Sequence, residues 1–402
     1  MKSTRPDGNL PTLLACFAHF DVCFMLWVLI GALGAFIFDG AGIDAGLTGL
    51  IVGVPILTGS LLRIPLGLLS DRLGGRRVGL ALLLFLVCPL TIGWLAPATL
   101  PVLLVTGLLL GAAGASFAIV LPLASRWYPA ERQGLVMGIA AAGNSGTVLA
   151  NLLAPRLATA VGWHNVFGFA LVPLGVVLLF FWLMAKDPPG RAAIRTPREY
   201  VTAVAHPDTW WFCFFYGITF GGYVGLSSFL PVFLRDQFAV SPVTAGSLTA
   251  AVALAGSLSR PLGGYVADRL GGARVLQRVL LAIGAAYVAM AFLSSLTSIV
   301  PVVLVAMVCL GFGNGVVFQL VPQRFQREIG SITGVVGAVG GIGGFFLPAL
   351  LGAVRQATGS YAPALVALGL LASAAGFSLR SLQNPARKRS WHLPSLATAE
   401  DL

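Results

Sequence analysis

The sequence predicts an all-α integral membrane protein in which twelve transmembrane helices form two six-helix halves related by pseudo-twofold symmetry. Three observations carry that prediction: an apolar composition, twelve apolar runs long enough to span a bilayer, and a motif that returns half a chain later. Of the 402 residues, 57% are hydrophobic and 10% are charged, and mean hydropathy is +0.91. A water-soluble single-core protein of this length does not reach such values. The lipid bilayer is the solvent this chain is built for.

Crossing the hydrocarbon takes about 20 mostly apolar residues per helix. Cutting the sequence at its polar and Pro/Gly-rich breaks places the runs near 12–38, 46–69, 78–97, 101–124, 134–156, 163–185, 209–234, 245–267, 275–296, 299–321, 331–354 and 361–381. The first run is too long for a signal-peptide core and lacks a small-residue cleavage site, so it is expected to stay as the first helix. The polar stretch "DPPGRAAIRTPREY" breaks any continuous helix. It divides the chain into an N-terminal half (1–185), a linker (186–208), a C-terminal half (209–382) and a tail (383–402).

The formal net charge of +11 raises the possibility of a nucleic-acid partner, which the distribution of charge argues against. Lys2 and Arg5, Arg72, Arg76 and Arg77, Arg126 and Arg132, and Lys186, Arg191, Arg195 and Arg198 fall in alternate connections, as do Arg269, Arg274 and Arg278, then Arg324 and Arg327, and Arg380, Arg387, Lys388 and Arg389. The other connections hold only Arg156, Arg235 and Arg355. This positive-inside pattern puts both termini in the cytoplasm of a multi-pass inner (cytoplasmic) membrane protein. The tail segment "NPARKRSW" reads as a topology anchor rather than a binding patch. Cys16, Cys23, Cys88, Cys213 and Cys309 lie in apolar runs without paired spacing and read as small hydrophobes, not metal ligands or disulfides.

"LLRIPLGLLSDRLGGRRV" lies without a gap over "LSRPLGGYVADRLGGARV", an offset of 197 residues from Asp71 to Asp268. Arg63 answers Arg260, Gly67 answers Gly264, and Gly74 answers Gly271. The same offset sets Gly143 over Gly340 and Gly146 over Gly343. Two positions sharing one offset imply parallel repeats related by an axis along the membrane normal. Gly67 and Gly264 allow close helix packing. Asp71 and Asp268 can reach a neighbouring helix end or an arginine as a cytoplasmic gate.

Arg63 and Arg260 each precede their loop aspartate by eight residues, which puts them roughly 12 Å into the membrane. A central arginine costs at least about 2.5–3.5 kcal/mol to insert and is retained where it faces protein interior or a wet cavity. Only Asp21 is available at comparable depth, one acid for two arginines. Two guanidinium groups on opposite walls of a central cavity make an anion site suited to a small planar oxyanion or a carboxylate. Gly138, Gly143 and Gly146 in the fifth helix, with Gly337, Gly340, Gly341, Gly343 and Gly344 in the eleventh, strip side chains from one face each. That arrangement serves close packing and sliding.

The loop "GLLSDRLGGRR" resembles the signature of the major facilitator superfamily between helices two and three, and "GGYVADRLGGAR" its weaker copy between helices eight and nine. The resemblance covers essentially the whole chain and implies the major facilitator fold, with Asp71, Arg72, Arg77, Asp268, Arg269 and Arg274 as gating hardware. More narrowly, "RWYPAERQGLVMGIAAAGNSGTVLANLLAP" and "GAVGGIGGFFLPALLG" resemble the paired nitrate-signature segments of the nitrate/nitrite porter family, "FDVCFMLWVLIGALG" resembles its first helix, and "GFGNGVVFQLVP" follows in the expected order. This family resemblance alone supplies nitrate and nitrite as substrates. It implies that Arg63 and Arg260 bind the anion, that Asn144, Gly143 and Gly340 lie near it, that Phe117 and Phe318 sandwich its flat face, and that Tyr216 completes the pocket. "GNSGT" departs from members with further glycine, through Ser145 and Thr147.

An inside-negative potential opposes entry of a monovalent anion by about 2.3 kcal/mol per 100 mV. Uptake therefore needs a co-transported cation, for which Asp21 is the proton-carrying candidate, or exchange of nitrate against nitrite. His19 points to another face and reads as a satisfied core histidine. Other small anions remain as alternative cargo. A transporter-like sensor would need a signalling extension beyond residues 383–402. An enzyme is disfavoured, since no nucleotide-binding loop, metal-spaced cluster or nucleophile–base pair occurs and "GGIGG" lies in an apolar helix. Neither cofactor nor metal is expected, and one chain holds both halves of its site, as a functional monomer would.

Overall fold

The computed structural model of the chain describes residues 8–41, 44–128, 136–137, 139–188, 201, 204–325 and 329–382. Among these residues twelve helical spans follow one another. Span α1 runs Leu10–Trp27 and resumes as Leu29–Ala41; α2 is Ala45–Leu73 and α3 is Gly75–Leu95. Span α4 joins Leu100–Leu110, a tight 3-10 turn at Gly111–Ala115 and Ser116–Ser125. In α5 a second 3-10 turn, Ala142–Ser145, leads into Gly146–Val161, and α6 is Trp163–Met184. Span α7 joins Pro207–Tyr216, a π turn at Gly217–Gly221 and Gly222–Phe238. The last five are α8 (Pro242–Leu270), α9 (Gly272–Phe292), α10 (Leu296–Arg324), α11 (Ile329–Thr358) and α12 (Ala362–Leu382). Among the described residues eleven helices are long and apolar enough to cross a membrane, and α5 supplies the twelfth in order. No strand occurs among them. Of the expected linker only 186–188, 201 and 204–208 are described; the tail 383–402, Gly138 and the arginines of 189–200 lie outside the described residues.

Helix ends follow local chemistry. Asn9 caps α1 through Oδ1, which accepts the Thr12 N–H at 2.9 Å, and Ser241 and Ser295 cap α8 and α10 in the same way. Gly74 and Gly271, equivalent in the repeat, stand alone between their helices at φ +95 and +87. That left-handed backbone is open to glycine at little cost. Several helices run past the apolar windows expected for them, as α3 and α9 do at their starts, because the helix continues into the headgroup region where arginine is welcome.

Packing reproduces the repeat. Gly143 and Gly146 of α5 bring its backbone against the α1 backbone at Phe17 and Asp21, and Gly340 and Gly343 of α11 meet α7 at Tyr216 and Gly217. Between halves, α1 meets α7 where Gly31 faces the Ser228 carbonyl, α2 meets α11 at Gly49 and Pro348, and α5 meets α8 where Gly246 faces the Asn151 carbonyl. Arg156 of α5 adds a hydrogen bond to the Ser247 hydroxyl of α8 at 3.0 Å. All of these contacts lie toward the end of the bundle opposite Gly74 and Gly271.

Inside the second half, a side chain at Gly311 would collide with the Gly256 carbonyl. The substitution Gly311→Val should destabilise the protein by roughly 1–3 kcal/mol. Thermal unfolding in detergent micelles, read as a lowered Tm relative to wild type, checks this.

Candidate functional site

Two of the three non-α turns, those of α4 and α7, meet at one place. The 3-10 turn of α4 presents the Gly114 carbonyl, which accepts from Arg63 Nε at 3.2 Å, and a second donor of the same guanidinium, Nη1, reaches the Gly337 carbonyl of α11 in the opposite half. Arg63 is only 2% exposed. Its charge lies over three aromatic rings, with the guanidinium carbon 5.5 Å from Trp27, 5.3 Å from Phe117 and 4.9 Å from Phe220. Cation–π contacts of this kind contribute about 2 kcal/mol when desolvated. Nη2 has no hydrogen-bond partner among the described residues.

Arg260 faces the same space from α8. Its guanidinium lies 5.7 Å from the Phe318 ring and within hydrogen-bonding reach of the Tyr216 hydroxyl, and its Nη1 is buried without a partner. No carboxylate pairs with either arginine among the described residues; Arg324–Asp208 and Arg355–Asp236 are ion pairs at helix ends. Each guanidinium thus keeps one buried, unused donor, an arrangement that attracts an oxyanion.

The aromatic walls differ from the expected sandwich. Phe117 and Phe318 have centroids 6.3 Å apart with planes at 53°, an open wedge rather than two parallel faces. Each ring is tilted by its own neighbours: Phe117 packs on Phe20, and Phe318 takes the edge of Tyr216 at 87°. The parallel pair is instead Tyr216 and Phe220, stacked 4.9 Å apart at 1°, at the two ends of the π turn. That turn sets Tyr216 toward Arg260 and Phe220 over Arg63.

The remaining expected residues divide. Gly340 adjoins the pocket, because any side chain there would strike the Tyr216 ring. Gly143 packs on the α1 backbone at Phe17 and Asp21. Asn144, 3% exposed, has an unpartnered Oδ1. Asp21 is not beside either arginine: its Oδ1 accepts from Ser145 Oγ at 2.5 Å. His19 is fully buried, with Nδ1 2.8 Å from Ser116 Oγ and Nε2 3.1 Å from the Gly79 carbonyl.

At the loop end, Asp268 accepts from Gln319 of α10 at 2.6 Å, Arg269 covers the Tyr265 ring, and Arg72, Arg77 and Arg274 are exposed. Asp71 is partly buried. Arg76, read from the sequence only as a positive-inside charge, holds the end of α6: its backbone N–H and Nη2 donate to Asp187 and to the Trp182 carbonyl. Trp27 and Phe220 also escaped notice. Both sit in aromatic-rich runs, where nothing in the sequence separates a ring over an arginine from a core ring.

The sequence model of the Major Facilitator Superfamily matches residues 15–348. The chain belongs to the major facilitator superfamily. This major facilitator is 36% identical over 352 residues to the "Nitrite extrusion protein" of Bacillus subtilis (strain 168), covering 87% of this chain and 89% of that one. It is 36% identical over 343 residues to the "Probable nitrate/nitrite transporter NarK2" of Mycobacterium tuberculosis (strain CDC 1551 / Oshkosh), covering 83% and 86%. Among solved structures it shares its fold with a bacterial homologue of the human lysosomal transporter Spinster in an inward-facing and occupied conformation. The TM-score is 0.69 and the identity 21%, over 92% of this chain and 96% of that one.

Trp27 Nε1 donates to the Pro55 carbonyl at 2.7 Å and so fixes α1 on α2 behind Arg63. Trp27→Phe keeps the ring and removes this buried bond, and should cost about 1–3 kcal/mol of stability. Thermal unfolding of the purified variant checks it.

Proposed function

We propose that the protein is a secondary transporter that moves nitrate, with nitrite as a second cargo, across the cytoplasmic membrane by rocking of its two halves around the Arg63–Arg260 site, with both termini in the cytoplasm. The observation that carries this reading is the pair of guanidinium groups, one from each half, Arg63 buried and Arg260 partly so, each with a buried, unpartnered Nη and neither with a carboxylate among the described residues. A planar oxyanion accepts both forks edge-on, while the wedge of Phe117 and Phe318 and the stacked Tyr216 and Phe220 exclude bulk and water. The names of the relatives, nitrite extrusion and nitrate/nitrite transport, support the same cargo. A polyhydroxylated solute would find too few hydrogen-bond partners in walls this apolar. The chain works as a monomer, needs no cofactor, and is not an enzyme.

Coupling to protons is the favoured mode, with Asp21 as the acid. Exchange of nitrate against nitrite is the second reading, and the absence of an acid beside the arginines favours it: the empty site keeps two positive charges and resists reorientation without an anion. Proteoliposomes containing the purified protein separate the two. Uptake stimulated by an inward proton gradient with no internal anion means symport, and uptake only with internal nitrate or nitrite means exchange.

Arg63→Lys and Arg260→Lys keep the charge and lose the fork. Each should remain folded and weaken nitrate binding by roughly 10- to 150-fold, the loss of one charge-assisted bond of about 1.5–3 kcal/mol. Calorimetric titration of nitrate into each purified variant checks this, and wild-type affinity in both would overturn the central-site reading.

A further inference from the structure

Asp21 is the only carboxylate that the described residues place deep inside a span, and its partner is a residue in the non-α turn of α5. Ser145 Oγ donates to Asp21 Oδ1 at 2.5 Å, and the Gly146 N–H lies within reach of the same carboxylate. The residue before Ser145 is Asn144, buried with its Oδ1 unpartnered. Asn144 and Ser145 share one 3-10 turn, Ala142–Ser145. The flanking glycines, Gly143 and Gly146, let that turn lie directly on the α1 backbone at Asp21. Asp21 itself is half-buried, so a proton can reach it, whereas Arg63 is sealed.

We propose that Asp21 and Ser145 form the proton site of the transporter, and that the turn Ala142–Ser145 relays its protonation to Asn144, the neighbouring buried side chain of the same turn. This rests on the nitrate reading above. With Asp21 ionised, two donors grip the carboxylate through charge-assisted bonds, which are about twice as strong as neutral ones. A proton taken from water onto Asp21 removes that charge and loosens the grip of α1 on the turn. The proton is released unchanged on the other side, and no bond to the anion forms. Among the other charged or titratable groups on the helices around α1, Arg63 is held by Gly114 and Gly337, Arg76 by Trp182 and Asp187, Arg156 by Leu152 and Ser247, and His164 on the Trp163 ring, while Arg72 and Arg77 are exposed at the junction of α2 and α3. His19, on α1 itself, is spent on Ser116 and Gly79.

The test is nitrate uptake by proteoliposomes as a function of pH, with nitrate-for-nitrate exchange measured in parallel. Asp21→Asn should lose stimulation by the proton gradient and keep exchange. Ser145→Ala removes a donor that favours the ionised carboxyl, so the midpoint of its pH profile should move about one unit alkaline, while Ser145→Thr, which keeps the hydroxyl, follows wild type. Should Asp21→Asn fail to fold, the Ser145→Ala and Ser145→Thr profiles decide alone. Superimposable Ser145→Ala and wild-type profiles, full gradient stimulation in Asp21→Asn, or a wild type that exchanges nitrate without responding to protons would each overturn the proposal and leave the anion site standing. A wild type with neither uptake nor exchange of nitrate would instead overturn the nitrate reading.

Discussion

The constraint on which the rest of the structure depends is the placing of two guanidinium charges inside the spans, Arg63 fully buried and Arg260 partly, with no acid among the described residues to neutralise them. A charge taken out of water is retained in a protein interior only when hydrogen bonds and polarisable groups replace its hydration. Arg63 obtains these from two backbone carbonyls and three aromatic rings. The carbonyl of Gly114 is supplied by a tight turn in α4, and the rings of Tyr216 and Phe220 are aimed by a π turn in α7. Departures from regular helix therefore cluster where the charge is, a recurrent property of π and 3-10 segments near functional sites.

A second constraint follows from the first. Backbone carbonyls can serve as ligands only if helices approach closely, and the glycines of α4 and α11 provide that approach. Gly340 leaves room for Tyr216, and Gly341 lies beside both Ser60 and Arg63. On the other side of the pseudo-twofold axis, Gly143 and Gly146 bring α5 onto α1 at Asp21. One repeat element thus does two jobs: in the second half it shapes the pocket, and in the first it holds the acid.

Much of this was legible in the sequence. Hydropathy located the spans, and the offset of 197 residues between Asp71 and Asp268 fixed the pairing of Arg63 with Arg260, because a buried charge in an apolar run is a strong signal. The ring geometry was not legible. Whether Phe117 and Phe318 lie parallel depends on the neighbours that tilt them, Phe20 and Tyr216, which arrive from other helices. Nor did the sequence separate Gly143 from Gly340, since equivalent glycines face different partners once α1 and α7 carry different side chains. Ser145, which read as a disturbance of the glycine pattern, is the hydrogen-bond partner of Asp21.

The bond from Arg63 to the Gly337 carbonyl joins one half of the molecule to the other. It makes the backbone of α11 a stand-in for cargo, occupying part of the guanidinium fork when nothing else does. Admission is then a competition. A solute must offer Arg63 more than a peptide oxygen can, and a neutral molecule with a similar oxygen gains little by replacing it. In the proposed transporter, full negative charge on a small, flat frame would win that exchange, and the chain's own carbonyl would set the threshold against water and uncharged solutes.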